Sequence, residues 1–160
     1  MMVLGIDPGE TGGLALVSRD ANIGVVLHSG IMMPLVTATK KPTVSMDAVW
    51  SWLDPYPGIT HGVIENVWAF PKQGVSSSFQ FGRMFGGAEV VLQVTCLHML
   101  HVTPQSWKKY WGLSSDKAAS IEKATEIFNT AEHWPLKKHE GIAEAALIAL
   151  YGLLHFESEA

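Results

Sequence analysis

The chain begins with three short runs of apolar residues that are separated by turn residues. The runs cover residues 3–7, 14–18 and 24–31, and they follow one another too closely for a helix to fit between them. Short apolar runs bounded by Gly, Pro, Asn and Asp are typical of β-strands. The N-terminal segment therefore predicts an antiparallel β-meander.

Strands and helices alternate in the remainder of the chain. Apolar residues at three- and four-residue spacing predict helices at residues 45–53, from 78 onward, 104–111, 118–128 and 138–156. Two further apolar runs predict strands at 61–65 and 96–102, while residues 37–43 form a polar linker and 69–77 a mobile loop. A meander followed by alternating strands and helices predicts an α/β fold with a mixed sheet covered by helices.

Composition places the chain among ordered proteins with one domain, residues 1–160. Of the 160 residues, 48% are hydrophobic and 16% charged, which is enough apolar material for a real core. The single cysteine, Cys96, excludes an internal disulfide framework and a Cys-based zinc cluster, and it is expected to be a small buried residue. The first residues lack a basic segment and a long apolar run, so we expect no signal peptide, no membrane partner and a cytoplasmic location.

The charge and the histidines each narrow the possible functions. The net charge of −4 argues against a polybasic nucleic-acid binder. His98 and His101 are three apart in a predicted strand, so they should point to opposite faces rather than share a metal ion. His28, His61, His133 and His155 form no ligand pattern, and we interpret these six histidines as structural.

Two carboxylates stand at the ends of predicted buried strands. Asp7 follows the first apolar run directly before Pro8, and Glu65 ends the run at residues 61–65. A strand-end Asp alone is as well explained as a turn former. Two such acids, however, need a partner, because an unpaired buried charge is costly.

A second pair of acids lies on the last predicted helix. Glu140 and Glu144 are four apart, so they share one side of the helix, and Glu144 stands among apolar residues. A solvated helix face would explain this pair if it stood alone. Together, four acids without cysteine ligands form an oxygen-rich site that suits Mg²⁺ or Mn²⁺ better than zinc. Such sites can hold two ions about 3.5 to 4 Å apart and hydrolyse phosphodiesters.

The segments around these acids resemble the RuvC family of Holliday-junction resolvases. The matching stretches GIDPG, VIENVW and KKHEGIAEAALIALYG occur in the family's order and span nearly the whole chain. The resemblance implies a ribonuclease H-like fold whose five-stranded sheet has three antiparallel and then two parallel strands. It also implies that Asp7, Glu65 and Glu144 bind metal, with Glu140 in the place of a fourth ligand. The spacing of four between Glu140 and Glu144, where bacterial members have three, resembles the phage-type enzymes, and His139 is the nearest alternative ligand.

The same resemblance suggests which residues contact DNA. Trp68 corresponds to an aromatic residue that stacks on junction bases beside the site, although a core tryptophan would show the same pattern. The resemblance implies that Lys117 also assists catalysis near the scissile group. A solvated surface remains an equally simple explanation for Lys109. The expected DNA contacts are Trp68, Lys72, Arg83, Lys108, Lys109 and Lys117.

The resemblance implies a DNA endonuclease that resolves four-way junctions in a bacterial or phage-infected cell. Two Mg²⁺ or Mn²⁺ ions per site would activate water for in-line attack on the phosphate, which leaves a 5′-phosphate and a 3′-hydroxyl. A symmetric junction needs two nicks, so a homodimer is implied, with the helix that carries Phe81, Gly82, Phe85 and Gly86 as the predicted interface. Binding should depend on metal and on junction shape, with weak affinity for plain duplex.

Three alternatives remain open from the sequence. One is a nuclease of the same fold with a broader range of substrates, such as flaps, forks or RNA–DNA hybrids. Another is a protein that binds junctions without cutting them. A third is a fragment of a nucleotide-binding ATPase, because GIDPG also resembles the phosphate loop of the actin and Hsp70 proteins.

Overall fold

The computed structural model describes residues 1–38, 40–69, 71–114 and 116–160, and for Lys117 only the backbone is described. The strands are β1 (Met2–Asp7), β2 (Gly13–Asp20), β3 (Gly24–Met32), β4 (Leu35–Val36), β5 (Thr43–Val44), β6 (His61–Glu65) and β7 (His98–Val102). The helices are α1 (Met46–Leu53), α2 (Val75–Thr95), α3 (Pro104–Tyr110), α4 (Lys117–Phe128) and α5 (Glu140–Glu159), the last preceded by a short 3-10 turn, Lys137–His139.

The main sheet has five strands in the order β3-β2-β1-β6-β7. The pairs β1–β2 and β2–β3 are antiparallel, whereas β1–β6 and β6–β7 are parallel. The predicted mixed sheet, with three antiparallel strands followed by two parallel ones, is therefore confirmed.

Two hydrophobic cores lie on opposite faces of this sheet. Alternate residues of β1 enter different cores because side chains in a strand alternate between faces, so Val3 packs with α5 while Leu4 packs with α1 and α2. Helix α5 is buried along most of its length against β1 and β2. Cys96 belongs to the second core, where burial raises the pKa of its thiol to about 12, as expected of an inert thiol.

The histidines of β7 confirm the prediction that they face opposite sides. The His98 ring stacks on His61 at 4.6 Å between centroids, and His61 in turn contacts Phe156 of α5. His101 instead binds Glu89 of α2, with 3.0 Å between Nε2 and Oε1. Within the described residues, no helix is long and apolar enough to cross a membrane.

Three boundaries differ from the sequence-based expectation. Helix α2 begins at Val75 rather than Ser78, so the end of the predicted loop is helical; the serines that suggested a loop occupy its first turn. Helix α2 also extends to Thr95, which shortens the predicted strand to His98–Val102. The predicted polar linker, residues 37–43, joins two strands that pair antiparallel, β4 and β5, and these strands are too short to show periodicity.

Gly152 allows α5 to approach the sheet closely. A Cβ at Gly152 would lie 1.9 Å from Val63 Cγ2, so Gly152→Ala should lower the free energy of unfolding by about 1–3 kcal/mol. Val63→Ala alone is also destabilising, because it removes buried contacts. In the double variant the new methyl group fills the vacated space, so the loss should be smaller than the sum by about 0.5 kcal/mol or more. Urea denaturation of the four proteins measures this coupling, and strictly additive losses would contradict the contact.

Candidate active site

The sheet brings Asp7 and Glu65 to the same edge. Strands β1 and β6 are parallel neighbours in which Ile6 pairs with Ile64, so the residues that follow each of them lie side by side at the carboxyl ends of the strands. This position outside the ends of parallel strands is where open α/β sheets commonly bind ligands.

Helix α5 supplies the second pair of acids. Its first turn meets the turn between β1 and β2, where Gly12 and Gly141 form an isolated parallel bridge. A Cβ on Gly141 would lie 2.3 Å from the Thr11 carbonyl oxygen, so only glycine permits this approach. The close contact places Glu140 and Glu144 beside Asp7.

These acids surround a polar pocket of about 280 Å³. Asp7, Glu140 and Glu144 line it together with Lys108 from α3. Glu65 does not line the pocket and is buried, with 7% of its surface exposed. His139 is not among the lining residues either, and its Nδ1 is buried without a hydrogen-bond partner in the described part of the chain.

Burial and mutual repulsion disturb the titration of the two strand-end acids. Burial, together with the charges of Glu144 and Glu65, raises the pKa of Asp7 well above its usual value, and Lys108 only partly offsets this. Burial also raises the pKa of Glu65, although the hydrogen bond from Trp107 acts to lower it. Without a bound metal, the surrounding residues therefore do not fully stabilise the ionised forms of Asp7 and Glu65.

Lys108 is the cation of this cluster. Its Nζ lies 3.0 Å from Glu144 Oε1 and 5.1 Å from the centre of the Trp107 ring. Burial alone would lower the pKa of Lys108, but the ion pair and hydrogen bond with Glu144, with further contributions from Glu65 and Asp7, outweigh burial and raise it. The structure thus places Lys108 among the acids rather than on an open phosphate-binding surface.

Sequence reasoning missed three polar residues that support or line the site. Trp107 Nε1 donates to Glu65 Oε1 at 2.8 Å, and Ser120 Oγ donates to Glu144 Oε1 at 2.9 Å. Asp116 caps α4 by accepting a hydrogen bond from Ala118 N–H, and it also lines the pocket. Ser120 is 3% exposed on the inner face of α4, and a hydroxyl on an apolar face was the available signal.

Trp107→Phe tests the support of Glu65. Removing the indole N–H leaves a buried carboxylate without this donor, so the free energy of unfolding should fall by about 1–3 kcal/mol at neutral pH. This loss of stability should become smaller at pH values below the raised pKa of Glu65, because the carboxyl group is then protonated in both proteins.

The matched control is Trp134→Phe. Trp134 is also buried, but its Nε1 donates to the neutral Thr125 hydroxyl at 2.9 Å. The cost of Trp134→Phe should therefore not change with pH across the range in which the Glu65 carboxyl group titrates. Thermal denaturation across this pH range measures the stability of both variants. Equal pH dependence in the two variants would contradict the role of Trp107.

The other predicted DNA contacts lie at the surface. Trp68 has 52% of its surface exposed, which excludes the core-tryptophan alternative. Lys72, Arg83 and Lys109 are exposed, and the Arg83 guanidinium lies 6.0 Å from the Phe79 ring centre. Lys117 begins α4 beside Asp116, but its side chain lies outside the described residues.

The predicted interface helix, α2, presents a different face from the one expected. Phe85 packs against the second core, and Phe81 is half-buried. Gly82 and Gly86 face open space, with no atom within 4 Å of an added Cβ. The spacing of α2 puts both glycines on one side with the exposed Val75, Phe79 and Val90, opposite the buried Met84 and Ala88. We call this side, residues 75, 79, 82, 86 and 90, the open face of α2.

The donor chemistry of the pocket suits a hard divalent cation. Carboxylate oxygens are the ligands that Mg²⁺ and Mn²⁺ prefer. In the described part of the chain, no three His, Cys, Asp or Glu side chains are already gathered as a metal-binding group. The raised pKa of Asp7 nevertheless reflects burial first and then repulsion by Glu144, Glu65 and Glu140, and a bound cation would relieve this repulsion.

Comparison with known proteins gives structural matches only. No family model matches the chain, and no curated protein gives a significant match. Among solved structures, RuvC of Thermus thermophilus in complex with a Holliday junction substrate is similar, with a TM-score of 0.69 and 17% identity over 99% of this chain and 96% of that one. This chain has the RuvC fold.

Two further structures share the RuvC fold. A second Thermus thermophilus RuvC structure matches with a TM-score of 0.69 and 18% identity over 99% of this chain and 97% of that one. The yeast mitochondrial Holliday junction resolvase Ydc2 matches with a TM-score of 0.65 and 15% identity over 98% of this chain and 79% of that one. The ribonuclease H-like fold expected from the sequence is confirmed.

Proposed function

We propose that this protein is a metal-dependent endonuclease that resolves four-way DNA junctions by paired nicks. The observation that carries the proposal is the arrangement of the acids. Asp7, Glu140 and Glu144 line one polar pocket, and Glu65, which ends the parallel strand next to that of Asp7, is buried beside them. The chain that builds this pocket has the fold of a resolvase that was solved with a Holliday junction. Fold alone does not imply function, so the proposal depends on the site.

Asp7, Glu65, Glu140 and Glu144 are the residues that would hold the cations, in our proposal two Mg²⁺ or Mn²⁺ ions. Bound cations would supply activation of water and neutralisation of the phosphate charge. Trp107 and Ser120 each donate a hydrogen bond to one of these acids and so fix its orientation. Such supporting contacts are needed to hold a site in its productive geometry.

The chain itself also supplies positive charge where the phosphate would lie. Lys108 lines the same pocket as Asp7 and Glu144, so its ammonium can contact the scissile phosphate once cations neutralise the acids. A fixed positive charge aimed at the reacting phosphate stabilises the negative charge that develops there. We propose a similar role for Lys117, whose position at the start of α4 is next to the pocket-lining Asp116.

Four exposed residues that do not line the acid pocket are the other proposed DNA contacts. Trp68 can stack on an unpaired base, a contact worth roughly 1–3 kcal/mol. Lys72, Arg83 and Lys109 can bind phosphates, and these contacts position DNA without reading its sequence.

A gel assay with a labelled four-way junction tests the proposed activity. We expect paired nicks in Mg²⁺ or Mn²⁺, none in EDTA, and much slower cutting of flaps, forks, RNA–DNA hybrids and plain duplex. Equal cutting of all branched substrates would support the broader nuclease instead. Tight binding without any nick would support a junction-binding protein, and a large thermal shift with ATP would support the ATPase fragment.

We also propose that the active form is a homodimer that pairs through the open face of α2. The face is apolar, and its two glycines leave room for the backbone of a second helix. Phe79, 65% exposed, lies at its centre, so Phe79→Asp should convert the dimer to a monomer and uncouple the two nicks on a cruciform plasmid.

Light scattering coupled to size exclusion measures the oligomeric state in this experiment. Ile23→Asp is the control, because Ile23 is also highly exposed but lies in the turn between β2 and β3. A wild-type monomer that still makes paired nicks would contradict the proposed interface.

A further inference from the structure

A second cavity lies beside the acid pocket and has a different chemical character. It measures about 380 Å³ and is built from three segments: the turn after β1, the loop before β5 and the first turns of α2. Gly9 and Glu10 contribute the first wall, Lys41 the second and residues 73–84 the third. We call it the α2 cavity. The acid pocket and the α2 cavity lie on two sides of the same turn, residues 8–12.

Side-chain hydrogen bonds join the three walls of the α2 cavity. Gln80 Nε2 donates to the Pro42 carbonyl oxygen at 2.6 Å and to Glu10 Oε1 at 3.3 Å. Lys41 Nζ donates to Ser76 Oγ. The Gln80 amide thus connects α2 both to the turn after β1 and to the loop before β5. The Lys41 contact makes a second connection between that loop and the first turn of α2. These hydrogen bonds therefore link the three segments that line the cavity.

The lining combines apolar side chains with hydrogen-bonding groups. Phe81 and Met84 provide an aromatic ring and a thioether, and Met84 is almost fully buried in the second core. Gln73, Gln80 and Ser77 provide amide and hydroxyl groups around them. A flat apolar body with donors and acceptors along its edges fits such a lining, and this is the chemistry of a nucleobase.

The α2 cavity is also close enough to the acids to receive part of the same DNA strand. Gly9 is two residues from Asp7, so their Cα atoms are at most about 7.6 Å apart, which equals about two stacked base steps. Phe81 lines the α2 cavity and also a smaller pocket that contains the exposed Trp68. The exposed indole of Trp68 and the α2 cavity are therefore neighbours that share Phe81 as a common wall.

We propose that the α2 cavity binds one unstacked base of the junction, within about two nucleotides of the cut phosphate, and that it sets the sequence preference of cleavage. This inference rests on the proposed endonuclease function. Phe81 and Met84 contact the face of the base, while the side chains of Gln73, Gln80 and Ser77 contact its edge. Lys41 stands where it can bind the adjoining phosphate.

Ser77→Phe tests the inference by filling the cavity. Ser77 is exposed, so a larger side chain can be accommodated, and it takes no part in the Gln80 and Lys41 contacts that join the walls. The control is Ser51→Phe, at an exposed helix position of α1 that does not line the cavity. Both proteins are assayed as full-length chains, with folding checked by thermal denaturation.

The measurement is kcat/KM on a panel of four-way junctions that differ only in the two nucleotides on each side of the cut. For wild type and Ser51→Phe we expect about a tenfold or larger spread across the panel, since a bound base contributes about this much. Ser77→Phe should reduce the spread to about twofold. In parallel, 2-aminopurine at the preferred position should brighten on binding to wild type and Ser51→Phe but not to Ser77→Phe.

The outcomes separate this inference from the proposed function. If wild type cuts no branched DNA, the proposed function fails. If wild type cuts junctions but Ser77→Phe keeps both the sequence spread and the 2-aminopurine signal, the function stands and the cavity assignment is wrong. Saturable stabilisation of wild type by free deoxynucleoside monophosphates, with no sequence spread on junctions, would assign the cavity to a free nucleotide and overturn the inference.

Discussion

Asp7→Asn should reduce junction cleavage by about a thousandfold and at the same time make the metal-free protein more stable. Asp7 stands at the centre of the acid cluster, so its loss removes a charged metal ligand. The amide is close in size and shape to the carboxyl group, so packing around β1 should be unchanged. Junction affinity measured in EDTA should change little, because the surface that contacts DNA is left intact.

The gain in stability follows from the raised pKa of Asp7. The folded state binds the Asp7 proton more tightly than the unfolded chain, whose pKa is near 3.8. Stability therefore falls as the pH rises from about 3.8 through the folded-state pKa, and it stays reduced above that value. Asparagine removes this loss, so the variant should exceed wild type at neutral pH, and the difference should vanish below pH 3.8.

Thermal denaturation with and without Mg²⁺ measures both parts of this prediction. Mg²⁺ should stabilise wild type by binding the folded state, and Asp7→Asn should lose most of this effect. Asp54→Asn, an exposed change at the end of α1, serves as the control for the loss of one negative charge. Wild-type cleavage by Asp7→Asn, or an unchanged response to Mg²⁺, would show that Asp7 is not a metal ligand.

The sequence carried enough information for the sheet but not for every boundary. Strands β1 and β6 are continuous apolar runs that end in an acid. Continuous apolar runs are typical of strands buried on both faces, so the sequence indicates that both are central strands. The start of α2 was misjudged because its first turn contains three serines and no apolar repeat. Two-residue strands such as β4 and β5 depend on their mutual pairing, which no local pattern shows.

The acids of the site could be predicted, whereas their partners could not. Asp7 and Glu65 stand out because a charge at the end of an apolar run needs an explanation. Lys108 follows Trp107 in a short helix, and nothing local indicates that Trp107 is buried against Glu65 or that Lys108 reaches Glu144. Those contacts depend on how α3 packs beside α5 and the strand ends. The bulk charge of −4 is likewise explained only in part, by Asp7, Glu140 and Glu144, which line one pocket, and Glu65 buried beside them.

Lys108→Met should weaken both the stability and the activity of the protein. The ammonium offsets the charges of Glu144, Glu65 and Asp7, so its loss leaves these acids to repel one another. Removing one partner of a fully buried ion pair costs about 3–5 kcal/mol. Because the Lys108 side chain is 37% exposed and solvent screens it, we expect about 1–2 kcal/mol at neutral pH.

The direction of the pH dependence identifies the cause of this loss. Without Lys108, the pKa values of Asp7 and Glu65 should rise further, so stability should fall more steeply with pH above the unfolded values of 3.8 and 4.5. In wild type, the pKa of Lys108 is raised above its usual value of 10.5. Its contribution to stability is therefore complete below pH 10.5 and is lost only as the pH rises through the pKa of the folded state. The variant should therefore approach wild-type stability in acid and fall behind it at neutral pH.

Added Mg²⁺ provides the last test of Lys108. A divalent cation would take over the neutralising role, so the thermal shift with Mg²⁺ should be larger in Lys108→Met than in wild type. Cleavage should still fall by about a hundredfold, because the charge aimed at the phosphate is missing. Lys109→Met is the control, since Lys109 is exposed and does not line the acid pocket. If Mg²⁺ stabilises both proteins equally, Lys108 does not occupy the place of a cation in the metal-free site.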